Sequence, residues 1–308
     1  MKKDNIWITG NGMVGKALNR ALSQNKKYNV IVTPRKILDQ TDQEKTNSWV
    51  KKNKPEIIIM TSALVGGIHL NAKIPSTFLY QNSILNLNII NAASENNCKK
   101  IVFLGASCMY PKKSKQPYDE KTIFEGRIEE TNEGYGISKL LGLKMIEMIN
   151  KEFNKKHITI IPAASYGPND CYDLEKNHVI PALIKKIHNA KIKNLKSISL
   201  WGTGKALREF LYVEDMADGI IHIMENYNDP SPINLGTGEE ITIKNLSKII
   251  KNVIGYKGKI NFDSSKPEGV KRKILNNNKI KKLKWRPKFT LEDGIEITYQ
   301  CYLKELSK

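Results

Sequence analysis

Gly10-Asn11-Gly12-Met13-Val14-Gly15 follows an apolar run at residues 5–9 and opens a segment, 13–23, whose apolar residues recur at helical spacing. A GxGxxG turn between a strand and a helix constrains this chain more than any other feature of it. The first glycine permits the tight turn, and the second lets backbone approach a pyrophosphate. The third lets the helix pack close to the strand, with the helix N-terminus facing the anion. Gly10, Gly12, Met13, Val14 and Gly15 are therefore the expected cofactor-binding residues.

Short apolar, β-branched runs at 28–32, 56–60, 100–104 and 157–162 alternate with helical patterns at 46–54, 75–96 and 134–151. Strands separated by helices build a parallel sheet covered on both faces. The expected fold class is α/β, a Rossmann-like doubly wound parallel sheet with a smaller α/β C-terminal substrate lobe. Past Tyr166, turns at Gly167-Pro168, Gly202-Thr203-Gly204 and Gly236-Thr237-Gly238 break the chain into shorter elements. The expected division is residues 1–165 as the dinucleotide-binding domain, with later segments returning to it, and 166–308 as mainly the substrate lobe.

In such a sheet the ligand crevice lies at the carboxyl ends of the strands, so the residues just after each strand matter most. After the second strand stands Thr33-Pro34-Arg35-Lys36, two cations and no acid, with Asp39 further along. An acid there binds a ribose 2′-hydroxyl, whereas an arginine accommodates a 2′-phosphate. Arg35 therefore points to NADPH (NADP+), the alternative being that Arg35 and Lys36 are ordinary surface cations.

Charge raises a competing function class. The 308 residues carry 50 Lys+Arg against 31 Asp+Glu, a formal net charge of +19. Polyanion binding is the reading such a balance invites. Only six of the basic residues are Arg, however, and no aromatic-interleaved motif accompanies the dispersed lysines, so no nucleic-acid partner is expected. Apolar runs such as residues 57–60 fall far short of the ~20 residues of a membrane span. Cys98, Cys108, Cys171 and Cys301 form no CxxC pair, so neither a disulfide framework nor a metal site is indicated. The first ten residues lack a secretory pattern, and a reducing cytoplasm is the expected location.

Thr131-Asn132-Glu133-Gly134-Tyr135-Gly136-Ile137-Ser138-Lys139 holds a YxxxK pair at the head of a helix. Positions i and i+4 share a helix face, so the Lys139 ammonium is expected near the Tyr135 hydroxyl, favouring its phenolate. Surface decoration is the alternative for so short a motif. Joined to the glycine turn, the pair resembles the extended short-chain dehydrogenase/reductases, and within them the GDP-L-fucose synthase family. The resemblance runs almost end to end. It is carried by GMVGKAL at Gly12, VGGIHLN at Val65, YQN at Tyr80, GASCMYPK at Gly105 and the TNEGYGISK just quoted. It continues in YGPND at Tyr166, NHVIPAL at Asn177, WGTGKALREFLYVEDMA at Trp201, NLGTG at Asn234 and GYKGKINFDSSKPEG at Gly255.

The resemblance implies an NADPH-dependent oxidoreductase and isomerase that reduces the C4 ketone of a GDP-linked 4-keto sugar after inverting C3 and C5. It implies Cys108 as the base and His178 as the acid of the epimerisation. It implies Tyr135 as proton donor to the C4 oxygen, and Lys139 as its partner and a cofactor-ribose ligand. Arg208 and Lys273 match positions that contact the nucleotide diphosphate, Trp201 a position bordering the base, and Asn177 and Lys186 further substrate-binding positions. On their own, Cys108 reads as a small buried residue, His178 as a satisfied helix-start histidine and Trp201 as core packing. A homodimer built on the helices at 75–96 and 134–151 is also implied.

Several residues depart from the family pattern. The glycine turn is one residue short and lacks an arginine. The serine that donates to the substrate ketone falls on Ala106, and Ser107 beside it points the other way if the segment is extended. Ser107 is kept as a candidate catalytic residue. Leu64, Gly134 and Ala163-Ala164-Ser165 are further replacements, expected beside the nicotinamide or sugar. Two other functions follow from these departures: a C4 reductase without epimerase activity, acting on a GDP-4-keto-heptose or another GDP-4-keto sugar, and a non-catalytic NADP(H)-binding regulatory protein.

Overall fold

The computed structural model describes residues 3–173, 177–266 and 269–307. Five short apolar runs become strands: β1 (Asp4–Ile8), β2 (Tyr28–Val32), β3 (Ile57–Met60), β4 (Lys100–Leu104) and β5 (Ile158–Pro162). With the strand Ile233–Leu235 they form one six-stranded sheet, in the order 233–235, β5, β4, β3, β1, β2. Every pairing is parallel, with Ile6 opposite both Val30 and Ile57. The order reverses between β1 and β3, and at such a switch point the loops diverge and leave a crevice.

Among the described residues, eight α-helices follow in chain order up to residue 254: α1 (Met13–Ser23), α2 (Gln43–Asn53), α3 (Ile68–Lys73), α4 (Pro75–Glu95), α5 (Glu133–Phe153), α6 (Val179–Ile192), α7 (Val213–Asn226) and α8 (Ile243–Ile254). The helix expected over 46–54 begins at Gln43, because the Asp42 side chain accepts from Lys45 N at 3.0 Å and caps it. The six-residue α3 carries too little periodicity to be read from sequence.

Two hydrophobic clusters organise the chain. The first packs strand residues such as Ile6, Ile58, Val102 and Ile160 against Leu18, Leu22, Ile89 and Ile146 of the covering helices. Leu211, Val213, Ile220, Ile233 and Leu235 return to this cluster from later in the chain. The second joins Tyr166, Ile184, Ile187, Leu246 and Ile250 to Ile295 and Tyr299 of the C-terminal helix Leu291–Leu306. Among the described residues no helix is long and apolar enough to cross a membrane.

Candidate active site

The glycine turn leaves β1 at the switch point and enters α1 with Gly12 as N-cap. A side chain at Gly15 would drive its Cβ into the Gly10 carbonyl, and one at Gly10 would press on Ser62 backbone at 3.1 Å. A Cβ at Gly12 would meet nothing within 4 Å. Two glycines are thus needed for packing, while the third faces open space at the helix N-terminus. No side chain caps α1 and no acid occupies its first turn, so its N–H groups are open to an anion. The residues present fit a dinucleotide pyrophosphate.

Hydroxyls that sequence reading passed over hold this turn. Gly10 N donates to Thr61 Oγ1 at 3.0 Å, and Thr61 Oγ1 donates back to Gly10 O at 3.2 Å. Thr9 and Ser62 share a 2.7 Å hydrogen bond between their hydroxyls. Their one sequence signal is position, directly after β1 and β3. Arg35, beyond β2, is 67% exposed and lies 3.6 Å from Asp39.

Helix α5 carries Tyr135 half-buried and Lys139 buried. The Lys139 ammonium donates to the Leu104 carbonyl, at the end of β4, at 2.8 Å and sits 5.7 Å from the Tyr135 ring centre. The expected phenolate is not what this geometry favours. Burial, followed by the charge of Cys108, raises the Tyr135 pKa above the usual tyrosine value, and the lysine is engaged by backbone. A phenol that stays protonated is suited to giving a proton. Burial lowers Lys139 to about 8, with the Cys108 charge opposing the fall. Lys139 is therefore charged below about pH 8 and loses its proton above. We expect kcat to fall as pH rises through about 8, and a Lys139→Arg enzyme, whose guanidinium stays charged, to lack that limb in its pH–rate profile.

Cys108 follows β4 on a single 3-10 turn, Ser107–Met109. A Cβ at Gly136 of α5 would come within 3.0 Å of the Cys108 carbonyl, so this turn lies on the tyrosine-bearing helix. The turn also corrects the premise of an extended segment around Ser107. Ser107 lines a small cavity together with Ala163, Ala164, Arg208, Glu209, Lys273 and Leu275. Burial raises the half-buried Cys108 thiol, while the positive charges of Lys273 and Lys139 pull it back.

His178 is the N-cap of α6, and its side chain makes no capping hydrogen bond to the helix. Although exposed, it is held below the ordinary histidine pKa by the protein packed around its ring and then by the Lys273 charge. Asn177, one residue earlier, has a buried Nδ2 without a partner among the described residues, and its carbonyl lies 2.6 Å from where a Cβ on Gly67 would stand. The VGG segment and the NHVIP segment therefore meet.

Arg208 and Lys273 come from segments 65 residues apart and pair as neighbours on two-residue parallel strands. Trp201 is 55% exposed, which sets aside the core reading, and the Lys186 ammonium lies over its ring at 5.4 Å. The segment at Gly255 is described except for Pro267 and Glu268, which lie outside the described residues.

Of the replacements expected beside the sugar, Ala163 and Ala164 do line the cavity. Gly134 does not belong with them. It is buried where any side chain would strike the Pro75 carbonyl, and it lets α4 and α5 approach closely. Leu64 is pinned by Asn82 of the YQN segment, whose Oδ1 accepts from Leu64 N at 2.8 Å while its Nδ2 donates to Leu64 O at 3.1 Å.

Residues 6–236 match the NAD dependent epimerase/dehydratase family. A GDP-L-fucose synthase of Sinorhizobium fredii is 41% identical over 303 residues, covering 98% of this chain and 96% of that protein. The crystal structure of a GDP-6-OMe-4-keto-L-xylo-heptose reductase from C. jejuni superposes with a TM-score of 0.93 at 30% identity, covering 99% of each chain. That of a GDP-L-fucose synthetase from Naegleria fowleri bound to NADP superposes with a TM-score of 0.93 at 28% identity, covering 100% of this chain and 95% of the other. With a glycine turn open to a pyrophosphate and full-length similarity to such proteins, the chain belongs to the NAD dependent epimerase/dehydratase family, within its GDP-L-fucose synthase group.

Proposed function

We propose that this protein is an NADPH-dependent reductase of the C4 ketone of a GDP-4-keto sugar, which also inverts C3 and C5 before reduction. One observation carries the reading: the turn bearing Cys108 follows β4 and lies on the helix that carries Tyr135 and Lys139, with Lys139 bonded to the end of β4, while Ser107 of the same turn lines a cavity with Arg208 and Lys273. Gly10, Gly12, Met13, Val14 and Gly15 would hold the cofactor pyrophosphate, Arg35 its 2′-phosphate and Lys139 its ribose. NADPH supplies hydride chemistry at C4 when bound.

A 4-ketone acidifies the hydrogens at C3 and C5. At each of the two carbons in turn, Cys108 as thiolate takes the proton and His178 as imidazolium returns one to the opposite face, and the pair regains its starting protonation by exchange with solvent between the two inversions. Tyr135 gives its phenolic proton to the C4 oxygen, and Lys139, close to the tyrosine ring, offsets the negative charge this leaves behind. Arg208 and Lys273 neutralise the diphosphate, Trp201 and Lys186 border the nucleotide base, and the unpaired Asn177 amide is available to the sugar.

The test is incubation with NADPH and GDP-4-keto-6-deoxymannose in deuterated water. The expected result is cofactor oxidation with deuterium at both C3 and C5. Oxidation without deuterium would leave a C4 reductase alone, and no reaction would overturn this substrate. A second reading has its own support: Ala163 and Ala164 line the cavity with Ser107 and offer no side-chain donor, nor does Ala106 beside Ser107 in the chain. A GDP-4-keto-heptose suits such a pocket, and turnover of that sugar in preference to the hexose is its check.

A homodimer through α4 and α5 also belongs to this reading. Its support is the set of apolar side chains those helices expose, Leu79, Tyr80, Ile137, Leu141 and Met148. Light scattering should give twice the chain mass, and Tyr80→Glu with Leu141→Glu should halve it.

A further inference from the structure

The strand Arg272–Lys273 is two residues long, and a strand that short has little register of its own. Its continuation is held by Tyr118: Tyr118 N donates to Ile274 O and Asn276 N donates to Tyr118 O, each at 2.9 Å. One step towards Lys273 the parallel ladder would use the backbone N–H and C=O of Gln116, but the described backbone makes no such rung, and the Gln116 carbonyl accepts instead from Arg272 Nη1 at 3.5 Å. The Gln116 side chain takes that place. Its Nε2 donates to Arg272 O at 2.7 Å, and its Oε1 accepts from Ile274 N at 3.1 Å. The two groups it binds flank Lys273.

The opposite edge of the same strand is bound to the Arg208 segment. Lys273 pairs with Arg208, Leu207 N donates to Lys271 O at 2.9 Å, and Glu209 N donates to Lys273 O at 3.3 Å. The buried Glu209 carboxylate accepts from Leu275 N at 2.8 Å and from Gly238 N at 2.7 Å. Lys273 is thus held between a carboxamide on one side and the Arg208 strand on the other. A fixed strand is what lets two long cations on neighbouring strands address one ligand, since misplacement of a binding group by about 1 Å can cost about 10²-fold.

We propose that Gln116 is a positioning residue for the nucleotide diphosphate: its carboxamide replaces the missing backbone rung and sets the strand from which Lys273 acts together with Arg208. This rests on the reading above, in which those two cations face the diphosphate. Gln116 itself touches neither substrate nor cofactor in this scheme.

The test measures GDP binding to the NADPH-loaded protein by calorimetry, with KM and kcat alongside. Gln116→Leu is expected to raise the Kd for GDP and the KM for the GDP-sugar by about 10-fold or more, with the Kd for NADPH within about twofold and kcat reduced by less than KM is raised. Gln116→Glu supplies a second readout within one folded protein. A protonated carboxylic acid offers the same donor and acceptor as the carboxamide, whereas the carboxylate has lost the donor that Arg272 O requires. Its GDP affinity, relative to wild type at the same pH, should rise as pH falls through the carboxylic-acid range, about 4 to 5, and be lowest at neutral pH and above. Wild-type GDP affinity in both variants at every pH would overturn the proposal while leaving the nucleotide reading intact. Failure of the wild type itself to bind GDP would overturn the nucleotide reading, and the proposal with it.

Discussion

A Tyr135→Phe enzyme keeps its fold and its NADPH affinity and loses about 10³-fold in kcat for reduction of the C4 ketone. The magnitude is that of removing a positioned general acid. The ring of Tyr135 packs edge-on against Phe78 at 6.3 Å between centres, a contact that phenylalanine preserves. What is lost is the hydroxyl, and burial keeps that hydroxyl protonated in the neutral range. Stopped-flow measurement of NADPH oxidation, with cofactor titration by fluorescence, separates the two effects. Unchanged turnover would remove Tyr135 from the role of proton donor.

The second large effect is expected at Cys108. A Cys108→Ser enzyme should exchange the C3 and C5 hydrogens with deuterated water about 10³-fold more slowly, because an alcohol does not ionise in the range where a thiol does. Lys273 and Lys139 both favour the thiolate against the burial that opposes it, and neither can bring a serine hydroxyl into that range. NADPH affinity should stay as it was, since the 3-10 turn bearing Cys108 lies after β4 while the glycine turn lies after β1. Mass spectrometry of recovered sugar nucleotide measures the exchange directly. Exchange at the wild-type rate would pass the base to another residue.

Much of the sheet was legible because its signals are local. Met13–Ser23, Tyr28–Val32 and Lys100–Leu104 have the bounds their apolar patterns indicate, and β-branched runs flanked by turn residues leave little choice of state. The boundary at Gln43 was missed because a cap depends on one side chain, Asp42, and not on periodicity. Gly134 was misread for a different reason. Its neighbour in space is the Pro75 carbonyl, 59 residues away in the chain, and a substitution beside a catalytic tyrosine looks like pocket chemistry until that neighbour is seen.

What the sequence determined by itself is the class of fold and the type of cofactor: alternating apolar runs specify a parallel sheet, and three glycines at fixed spacing specify a turn that admits a pyrophosphate. Both follow from steric rules acting over a few residues. Only the tertiary structure decided that Lys139 answers to the Leu104 carbonyl, that Ser107 turns into the cavity beside Arg208 and Lys273, and that Gln116 completes the strand bearing Lys273. Burial, charge proximity and the pairing of two-residue strands are set by contacts between distant segments, and no local pattern encodes which segments will meet.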